Sequence, residues 1–289
     1  MLCTLPSRPS LRSLAKSLEI QEFIRPLRGG SQSRLVRCND GKLYVLKMNG
    51  NPQGPNLLAN ELLGSHLLRG LGLSAPLAVP VYIDQHTIDA NGLSFATPAG
   101  FKRVVQGWQL ALELASDKEG SLFEWISPSH IERFSNVNEL LAIYVFDVWA
   151  SHRDRRQCVF EYHRDLRCYS AWFIDNGHLF GGPDWSRLNE GPRGATSPYV
   201  VPPKEDCFEL HQWASRFRKH LPRLLCEGME MIPTEWYKSD IAAMVSVLTN
   251  RLKNLSRLIR EDIRHHDFGK DRLPNENPLK VPYSCALQE

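Results

Sequence analysis

Two short acidic motifs in the middle of the chain contain the residues whose types and spacing could do chemistry. Ser-His-Arg-Asp-Arg-Arg-Gln spans 151–157, and Phe-Ile-Asp-Asn-Gly spans 173–177. Asp154 follows the apolar residues of a predicted helix, and Asp175 ends a predicted strand over 171–174. Both carboxylates are therefore expected at the edges of packed elements, where two of them can share a metal-bound phosphate. In phosphoryl transfer, one carboxylate orients the attacking hydroxyl and the other holds the divalent cation on the nucleotide.

A lysine and a glutamate upstream of these motifs have the spacing of a phosphate-binding pair. Lys47 lies in a β-rich run over 43–48, and Glu61 lies among apolar residues with helical spacing over 56–69. A carboxylate in an apolar helix face needs a cationic partner, because an unpaired buried charge is costly. A strand lysine paired with a helix glutamate holds the α and β phosphates in kinases. The alternative is a solvated glutamate and a lysine that extends from its strand to solvent.

A glycine pair separates two strands that the pattern predicts over 23–27 and 34–37. Gly29 and Gly30 allow the backbone to approach a ligand closely, and successive free amides in such a loop can bind phosphate oxygens. A simple turn is the alternative for a glycine pair between strands. The GxxxxGK[ST] motif is absent from the chain, so this loop is not of the Walker A type.

Composition and length narrow the class of protein. The 289 residues are enough for one large domain or two lobes. With 35 basic and 32 acidic residues, the net charge of +3 argues against nucleic acid as the main partner. The seven cysteines are odd in number and form no CxxC pair, which favours reduced thiols in a cytoplasmic protein over disulfides or zinc. No apolar run reaches the roughly 20 residues of a membrane span.

The pattern of strands and helices predicts two lobes. A small β-rich N-terminal lobe is expected over 21–105, with candidate strands over 78–83 and 93–101, and a mostly helical lobe over 106–272. The linker is expected near 100–107. Helices are predicted over 139–151, 206–225 and 234–266 in the second lobe. A flexible leader over 1–20, whose composition also resembles an organellar transit peptide, and a flexible tail over 273–289 flank the lobes.

A long segment rich in glycine and proline follows Asp175, over 178–205. Loops of this length in a compact domain are usually functional or disordered. Its position favours a substrate-binding or regulatory loop, with Ser186, Thr196 and Ser197 as candidate phosphorylation sites. We expect Trp185 to anchor the loop by apolar packing, and His178 to make a structural hydrogen bond.

Five motifs taken together resemble the HipA-like kinase domain family, a bacterial branch of the protein-kinase-like fold, from about 23 to 266. They are Gly-Gly-Ser-Gln-Ser, Val-Leu-Lys, Asn-Glu-Leu-Leu, Phe-Asp-Val-Trp followed by Asp-Arg-Arg-Gln, and Phe-Ile-Asp-Asn-Gly-His. The resemblance implies an α+β, two-lobed kinase-like fold and an enzyme that uses ATP and Mg²⁺. It implies that Lys47 binds phosphate, that Glu61 supports Lys47, that Asp154 is catalytic and that Asp175 binds magnesium. The residues implied to form a loop over ATP are Gly29, Gly30, Ser31, Gln32 and Ser33.

The chain departs from the kinase pattern at three positions. Val159 stands where eukaryotic kinases place a metal-binding asparagine, so Gln157, the nearest amide, is the candidate second metal ligand. His152 stands where HipA-like relatives commonly have asparagine, and Asn176 replaces the phenylalanine of Asp-Phe-Gly. Three functions therefore remain open: a kinase of protein serine or threonine, a small-molecule kinase of the same fold, and a pseudokinase that binds nucleotide or a partner.

A dense basic stretch surrounds Asp154. Its arginines could stabilise the transferred phosphate or bind an acidic acceptor, and the alternative is a solvated loop. They are Arg153, Arg155, Arg156, Arg164 and Arg167. In the expected mechanism Asp154 accepts the proton of the acceptor hydroxyl, while Asp175 and Gln157 hold Mg²⁺ on the phosphates.

Overall fold

The structure, a computed structural model, describes residues 18–116, 121–190, 199–200, 203 and 205–265. Thr196, Ser197, the predicted tail and most of the predicted leader lie outside the described residues. The described strands are β1 (Ile20–Pro26), β2 (Arg34–Cys38), β3 (Leu43–Lys47), β4 (Ala78–Ile83), β5 (Ser94–Thr97), β6 (Gly100–Arg103), β7 (Gly107–Glu113), β8 (Leu122–Phe123), β9 (Gln157–His163) and β10 (Cys168–Ile174). The described α-helices are α1 (Leu57–Gly70), α2 (Gln85–Ala90), α3 (Asn138–Ala150), α4 (Phe208–Met229), α5 (Ile241–Lys253) and α6 (Leu255–His265).

The N-terminal lobe is built on a five-stranded antiparallel sheet with the strand order β1-β2-β3-β7-β4. Side chains alternate between its two sides. On one side Tyr44 and Leu46 pack with Phe95 of the β5–β6 hairpin in an apolar core. Val45 and Lys47 point to the opposite side, where Leu110 of β7 belongs to the core that α1 shares. The sheet therefore presents Lys47 to α1 and the second lobe.

The lobe boundary lies after Glu113, and the predicted boundary at residue 105 needs correction. β7 pairs with β3 on one side and with β4 on the other, so it is a central strand of the N-terminal sheet. Its residues Leu110, Ala111 and Leu112 are buried in succession, as expected for a strand covered on both faces. The predicted strand over 93–101 is instead a β5–β6 hairpin with its turn between Thr97 and Gly100.

The C-terminal lobe surrounds α3, in which every residue from Leu140 to Ala150 is buried. β9 and β10 form an antiparallel hairpin that is paired from Gln157 opposite Ile174 to His163 opposite Cys168. The hairpin begins just after Asp154 and ends just before Asp175. It therefore joins the Asp154 loop (151–156) to the Asp175 loop (175–178).

The apolar stripe predicted as one helix over 234–266 is divided between α5 and α6. Asp240 caps α5 by accepting a hydrogen bond from the backbone N–H of Ala243, at 3.0 Å. Thr234 begins only a short 3-10 turn over Thr234–Trp236. A side-chain cap that satisfies a free helical N–H decides where α5 starts, and periodicity carries no such information. None of the described helices combines the length and apolarity needed to cross a membrane.

Contacts from both lobes fix α1. Gly70 and Gly228 are the close-approach points between α1 and α4: a Cβ atom on Gly70 would lie 2.4 Å from Leu224. After α1, the backbone N–H of Ser74 donates to Glu139 at the start of α3 at 2.6 Å, and Phe173 of β10 donates to the Ser74 carbonyl at 2.8 Å. Before the start of α1, the N–H of Asn56 donates to the carbonyl of Pro183 at 2.8 Å, so the helix that carries Glu61 is held against the C-terminal lobe at both of its ends.

Candidate active site

Lys47, Glu61 and Asp175 meet between the two lobes. Lys47 is the last residue of β3, Glu61 lies in the second turn of α1, and Asp175 follows β10. Lys47 Nζ donates to Glu61 Oε1 and, at 3.0 Å, to Asp175 Oδ1. Lys47 is 6 % exposed and Glu61 is fully buried, so the solvated alternative applies to neither. Three predicted site residues are thus in direct contact.

The charges of this cluster favour an ionised Lys47 and an ionised Asp175. Burial lowers the pKa of Lys47, but Glu61 and Asp175 outweigh it and raise that pKa above its usual value. Burial raises the pKa of Asp175, but the Lys47 ammonium dominates and holds it at about 2. Burial raises the pKa of Glu61, and Lys47 opposes that effect. A fixed cation therefore lies beside an anionic Asp175 at neutral pH.

Glu61 also holds the backbone of the Asp175 loop. Its carboxylate accepts hydrogen bonds from the N–H groups of Asn176, at 3.1 Å, and Gly177, at 3.0 Å. One turn further along α1, a Cβ atom on Gly64 would lie 2.6 Å from Leu179 and 2.7 Å from Asn176. Only a residue without a side chain permits this approach. Asp175 itself has a left-handed φ of 59°, so its conformation depends on these supporting contacts.

Asn60 is a buried residue of the site that sequence reasoning missed. Its amide nitrogen donates to the carbonyls of Gly177, Leu179 and Gly182, at 2.8, 3.0 and 3.1 Å. Its carbonyl accepts the indole N–H of Trp185 at 2.7 Å. Trp185 is buried and also stacks on Tyr237, so it anchors the start of the 178–205 segment. The sequence signal that could have found Asn60 is an amide side chain within an apolar helix, because a buried amide needs hydrogen-bond partners.

Asp154 and Gln157 lie three positions apart, just before and at the start of the β9–β10 hairpin. Asp154 is exposed, and its Oδ1 accepts the backbone N–H of Arg155 at 2.7 Å. Gln157 begins β9, and its Nε2 donates to Asp175 Oδ2 at 2.7 Å. The two predicted metal-binding residues are therefore adjacent. In this arrangement Gln157 presents its N–H, and not its oxygen, to Asp175.

Arg156 is a buried structural residue. Its guanidinium binds both oxygens of Asp147 in α3 and donates to the carbonyl of Ile174, at 3.1 Å, and to Asn176 Oδ1, at 2.8 Å. At 2 % exposure it cannot reach a transferred phosphate or an acidic acceptor. The interpretation of Arg156 as part of a phosphate-binding stretch is therefore corrected. It connects α3, the Asp154 loop and the Asp175 loop.

The other arginines of the stretch are dispersed. Arg153 donates to the carbonyl of Arg187 at 2.7 Å and to the carboxylate of Glu190 at 2.6 Å. Arg164 and Arg167 are exposed in the turn of the β9–β10 hairpin, at the opposite end of the hairpin from Asp175. Arg155 is exposed beside Asp154, so it alone of the five stays both accessible and near the predicted site.

His152 is a buried residue of the Asp154 loop. Its Nδ1 lies 3.4 Å from Asp147 Oδ1, and burial together with the charge of Arg156 lowers the pKa of His152. The imidazole is therefore neutral at physiological pH. Asp147, in the Phe-Asp-Val-Trp motif, thus holds the loop through its carboxylate, which binds Arg156, and through its backbone carbonyl, which accepts the N–H of His152 at 3.0 Å.

The glycine-rich loop (29–33) connects β1 and β2. Gly29 has a left-handed φ of 122°, and its carbonyl accepts the N–H of Gln32 at 3.1 Å. The hydroxyls of Ser31 and Ser33 are 2.9 Å apart. The side chain of Gln32, predicted to bind nucleotide, instead bonds to the backbone of Ala96 in β5, through Nε2 at 2.9 Å and through Oε1 at 2.7 Å. Both polar atoms of this amide are therefore occupied by the backbone of β5.

Comparison with known proteins gives one family match for this chain. Residues 20–161 match the family described as HipA-like kinase. The match includes Lys47, Glu61 and Asp154 and ends before Asp175. The predicted resemblance is confirmed.

Solved kinases share the fold. The structure of a Golgi casein kinase has 16 % identity and a TM-score of 0.56, and the alignment covers 88 % of this chain and 76 % of that one. A complex of the Golgi casein kinase with Mn/ADP gives 14 % identity, a TM-score of 0.55, and coverage of 87 % and 76 %. The proinflammatory kinase CtkA of Helicobacter pylori gives 11 % identity, a TM-score of 0.55, and coverage of 86 % and 98 %. No curated protein gave a significant match.

These likenesses confirm the predicted α+β kinase-like fold. At identities of 11 to 16 % they carry no information on substrate. Together with the family match, they indicate a kinase, a transferase of phosphoryl groups.

Proposed function

We propose that this chain is an ATP-dependent kinase that transfers the γ-phosphoryl group to the hydroxyl of a protein serine or threonine. The observation that carries the proposal is the contact of Lys47 with both Glu61 and Asp175. Asp175 lies 128 residues from Lys47, so the contact is a product of the fold and not of local sequence. A buried cation fixed beside a carboxylate can hold phosphates and their metal together.

The nucleotide is proposed to lie on the Lys47 side of the N-terminal sheet. Leu35 of β2 is opposite Val45 of β3, and strand alternation puts Val45 on the same side as Lys47. Both apolar side chains are only partly buried, which suits a surface that receives a flat base. The glycine-rich loop adjoins this side at the start of β2 and would bind phosphate oxygens with backbone amides.

The residues present fit a magnesium ion bound mainly through the nucleotide. The described part of the chain has no group of three or more His, Cys, Asp or Glu side chains arranged for a metal. Mg²⁺ in kinases typically uses one or two protein oxygens, with phosphates and water completing its shell. Asp175, anionic at neutral pH, would hold the ion, and Gln157 would orient its second oxygen. Bound Mg²⁺ would neutralise charge on the phosphates.

The chemical step assigns roles to Asp154 and Lys47. The acceptor oxygen attacks the γ-phosphorus, and the bond from that phosphorus to the β–γ bridging oxygen breaks, which releases ADP. Asp154, whose side chain is exposed, accepts the proton of the hydroxyl. Lys47 stabilises the negative charge on the phosphates.

A nucleotide-binding pseudokinase is the second candidate, and one observation favours it. Gln157, the candidate second metal ligand, donates a hydrogen bond to Asp175, whereas the second ligand of protein kinases binds the metal. Binding of Mg²⁺ and ATP would then occur without efficient transfer.

Labelled ATP with Mg²⁺ and a mixture of serine and threonine peptides tests both candidates. We expect the wild-type chain to bind nucleotide and label peptide, Asp154→Ala to bind without labelling, and Lys47→Ala to bind weakly. Asp165→Asn, an exposed carboxylate in the β9–β10 turn, is the matched control and should behave as wild type. Binding without labelling by the wild type would favour the pseudokinase. Absence of binding would refute both candidates.

A further inference from the structure

The side chain of Gln32 ties the glycine-rich loop to a separate element, the β5–β6 hairpin. Its amide donates to the carbonyl of Ala96 and accepts the N–H of the same residue. We infer that the hairpin braces the glycine-rich loop and that Gln32 is a positioning residue for nucleotide binding. The inference rests on the proposed function, in which this loop binds the nucleotide phosphates.

A second set of hydrogen bonds connects the hairpin to the glycine-rich loop through the 50–51 turn. Lys102 of β6 donates to the carbonyl of Gly50 at 2.8 Å. The next residue, Asn51, donates through its side chain to the carbonyl of Ser31, at 2.8 Å. The glycine-rich loop is thus held from the hairpin at Gln32 and from the 50–51 turn at Ser31. The hairpin contacts both the glycine-rich loop and the 50–51 turn.

The hairpin can act as a brace because it is itself fixed. Phe95 is fully buried in the core under the N-terminal sheet. Arg103 forms an ion pair with Asp89 of α2, and Val104 donates to the carbonyl of Leu93 at 3.1 Å. The exposed side of the hairpin therefore presents Ala96 to the loop from a rigid base.

The physical benefit is a loop that is ordered before the ligand arrives. Adjacent glycines give the free loop many conformations, and restricting them on binding lowers affinity. Gln32 has a left-handed φ of 48°, a strained conformation for a residue with a side chain. Two hydrogen bonds to Ala96 stabilise that conformation, so Gln32 acts through the backbone of the loop.

Variants on both sides of the contact test the brace. Gln32→Ala removes the amide, and Ala96→Pro removes only the N–H that Gln32 accepts. Both backbone groups of Ala96 face the loop, so a proline there removes no hydrogen bond between β5 and β6. Thr97→Ala is the matched control, because its hydroxyl bonds within the hairpin to the carbonyl of Gly100. The measurements are the Kd of a non-hydrolysable MgATP analogue and amide hydrogen exchange of residues 29–33 in the free protein.

We expect Gln32→Ala and Ala96→Pro each to raise Kd about tenfold, the effect of one or two net hydrogen bonds. Adding Ala96→Pro to Gln32→Ala should raise Kd by less than about a further twofold, because Gln32→Ala already removes both hydrogen bonds to Ala96. Thr97→Ala should stay within about twofold of wild type. Exchange in the loop should be faster in the first two variants, and circular dichroism should confirm that they are folded.

Two outcomes would overturn the brace. Normal affinity and normal loop exchange in Gln32→Ala would show that the contact orders nothing. Weak binding in Gln32→Ala with normal binding in a folded Ala96→Pro would show that Gln32 contacts the nucleotide directly. A wild-type chain that binds no nucleotide would refute the proposed function instead, and loop exchange would still decide whether the hairpin orders the loop.

Discussion

Replacing Glu61 by glutamine removes one charge from the buried cluster with almost no change in shape. Glu61 is fully buried and accepts from Lys47 and from the N–H groups of Asn176 and Gly177. A glutamine keeps one carbonyl oxygen, and its NH₂ group then faces at least one of these donors. The substitution therefore weakens the support of Asp175 and leaves Lys47 with a single carboxylate.

The expected loss of stability follows from these contacts. Removing one partner of a buried ion pair costs about 3–5 kcal/mol. Because Asp175 remains 3.0 Å from Lys47, part of the lysine charge stays compensated. We expect a loss near the lower end, about 3 kcal/mol. That is a large share of the roughly 5–15 kcal/mol by which folded proteins are typically stable.

Equilibrium urea unfolding at pH 7, followed by tryptophan fluorescence, measures this loss. The matched control is Glu261→Gln, the same substitution at an exposed i,i+4 pair with Arg257. That change should cost under about 1 kcal/mol. Each single change, Lys47→Met or Glu61→Gln, leaves the other charge without its partner, whereas the double variant removes both charges. The double variant should therefore lose less unfolding free energy than the sum of the two single losses, by more than about 1 kcal/mol.

Two results would refute this reasoning. Glu61→Gln could prove no more destabilising than Glu261→Gln, or the double variant could be additive within about 0.5 kcal/mol. Either would mean that Lys47 and Glu61 are not coupled in the folded protein.

Three further predictions concern Asp175 and two residues that pack around its loop, Gly64 and Arg156. Gly64→Ala should destabilise by about 1–3 kcal/mol in urea unfolding, although alanine favours helix, because its Cβ would lie 2.6 Å from Leu179; a more stable variant would contradict the packing. Arg156→Lys should lower the thermal midpoint, since lysine cannot bind both oxygens of Asp147; an unchanged midpoint would show that charge alone suffices there. The pKa of Asp175 is about 2 when folded and about 4 when unfolded, so its ionised form stabilises the fold above about pH 4 and this contribution is lost as the pH falls toward 2. The difference in unfolding free energy between wild type and Asp175→Asn should therefore be constant from pH 8 to about pH 5 and shrink below about pH 4; a difference that shrinks already near pH 6 would contradict the low pKa.

Sequence reasoning succeeded where a local rule was sufficient. Glu61 lies within an apolar helix face, and the cost of an unpaired buried charge already demanded a cation. Lys47 was the candidate because it ends a strand just upstream of that helix. Most element bounds were predicted to within a few residues for the same reason, since the alternation of apolar residues is a local property.

The same reasoning failed where a residue's role depends on distant partners. β7 has an apolar pattern that suits either lobe, and only its pairing with β3 and β4 places it in the N-terminal sheet. Arg156 belongs to a charge run that suggests a solvated or phosphate-binding loop. Its burial results from Asp147, Ile174 and Asn176 closing around it, which no pattern near residue 156 indicates.

By itself, the sequence determined the order of the chemical groups: a glycine-rich loop, a strand lysine, a helix glutamate and two aspartates after apolar elements. Only the tertiary structure decided which of these groups touch and which are occupied elsewhere. Gln32 bonds to Ala96 across 64 residues, and Asn60 bonds to Trp185 across 125. Propensity and periodicity act over a few neighbouring residues, whereas burial and hydrogen-bond partners are set by strand pairing and helix packing between distant segments.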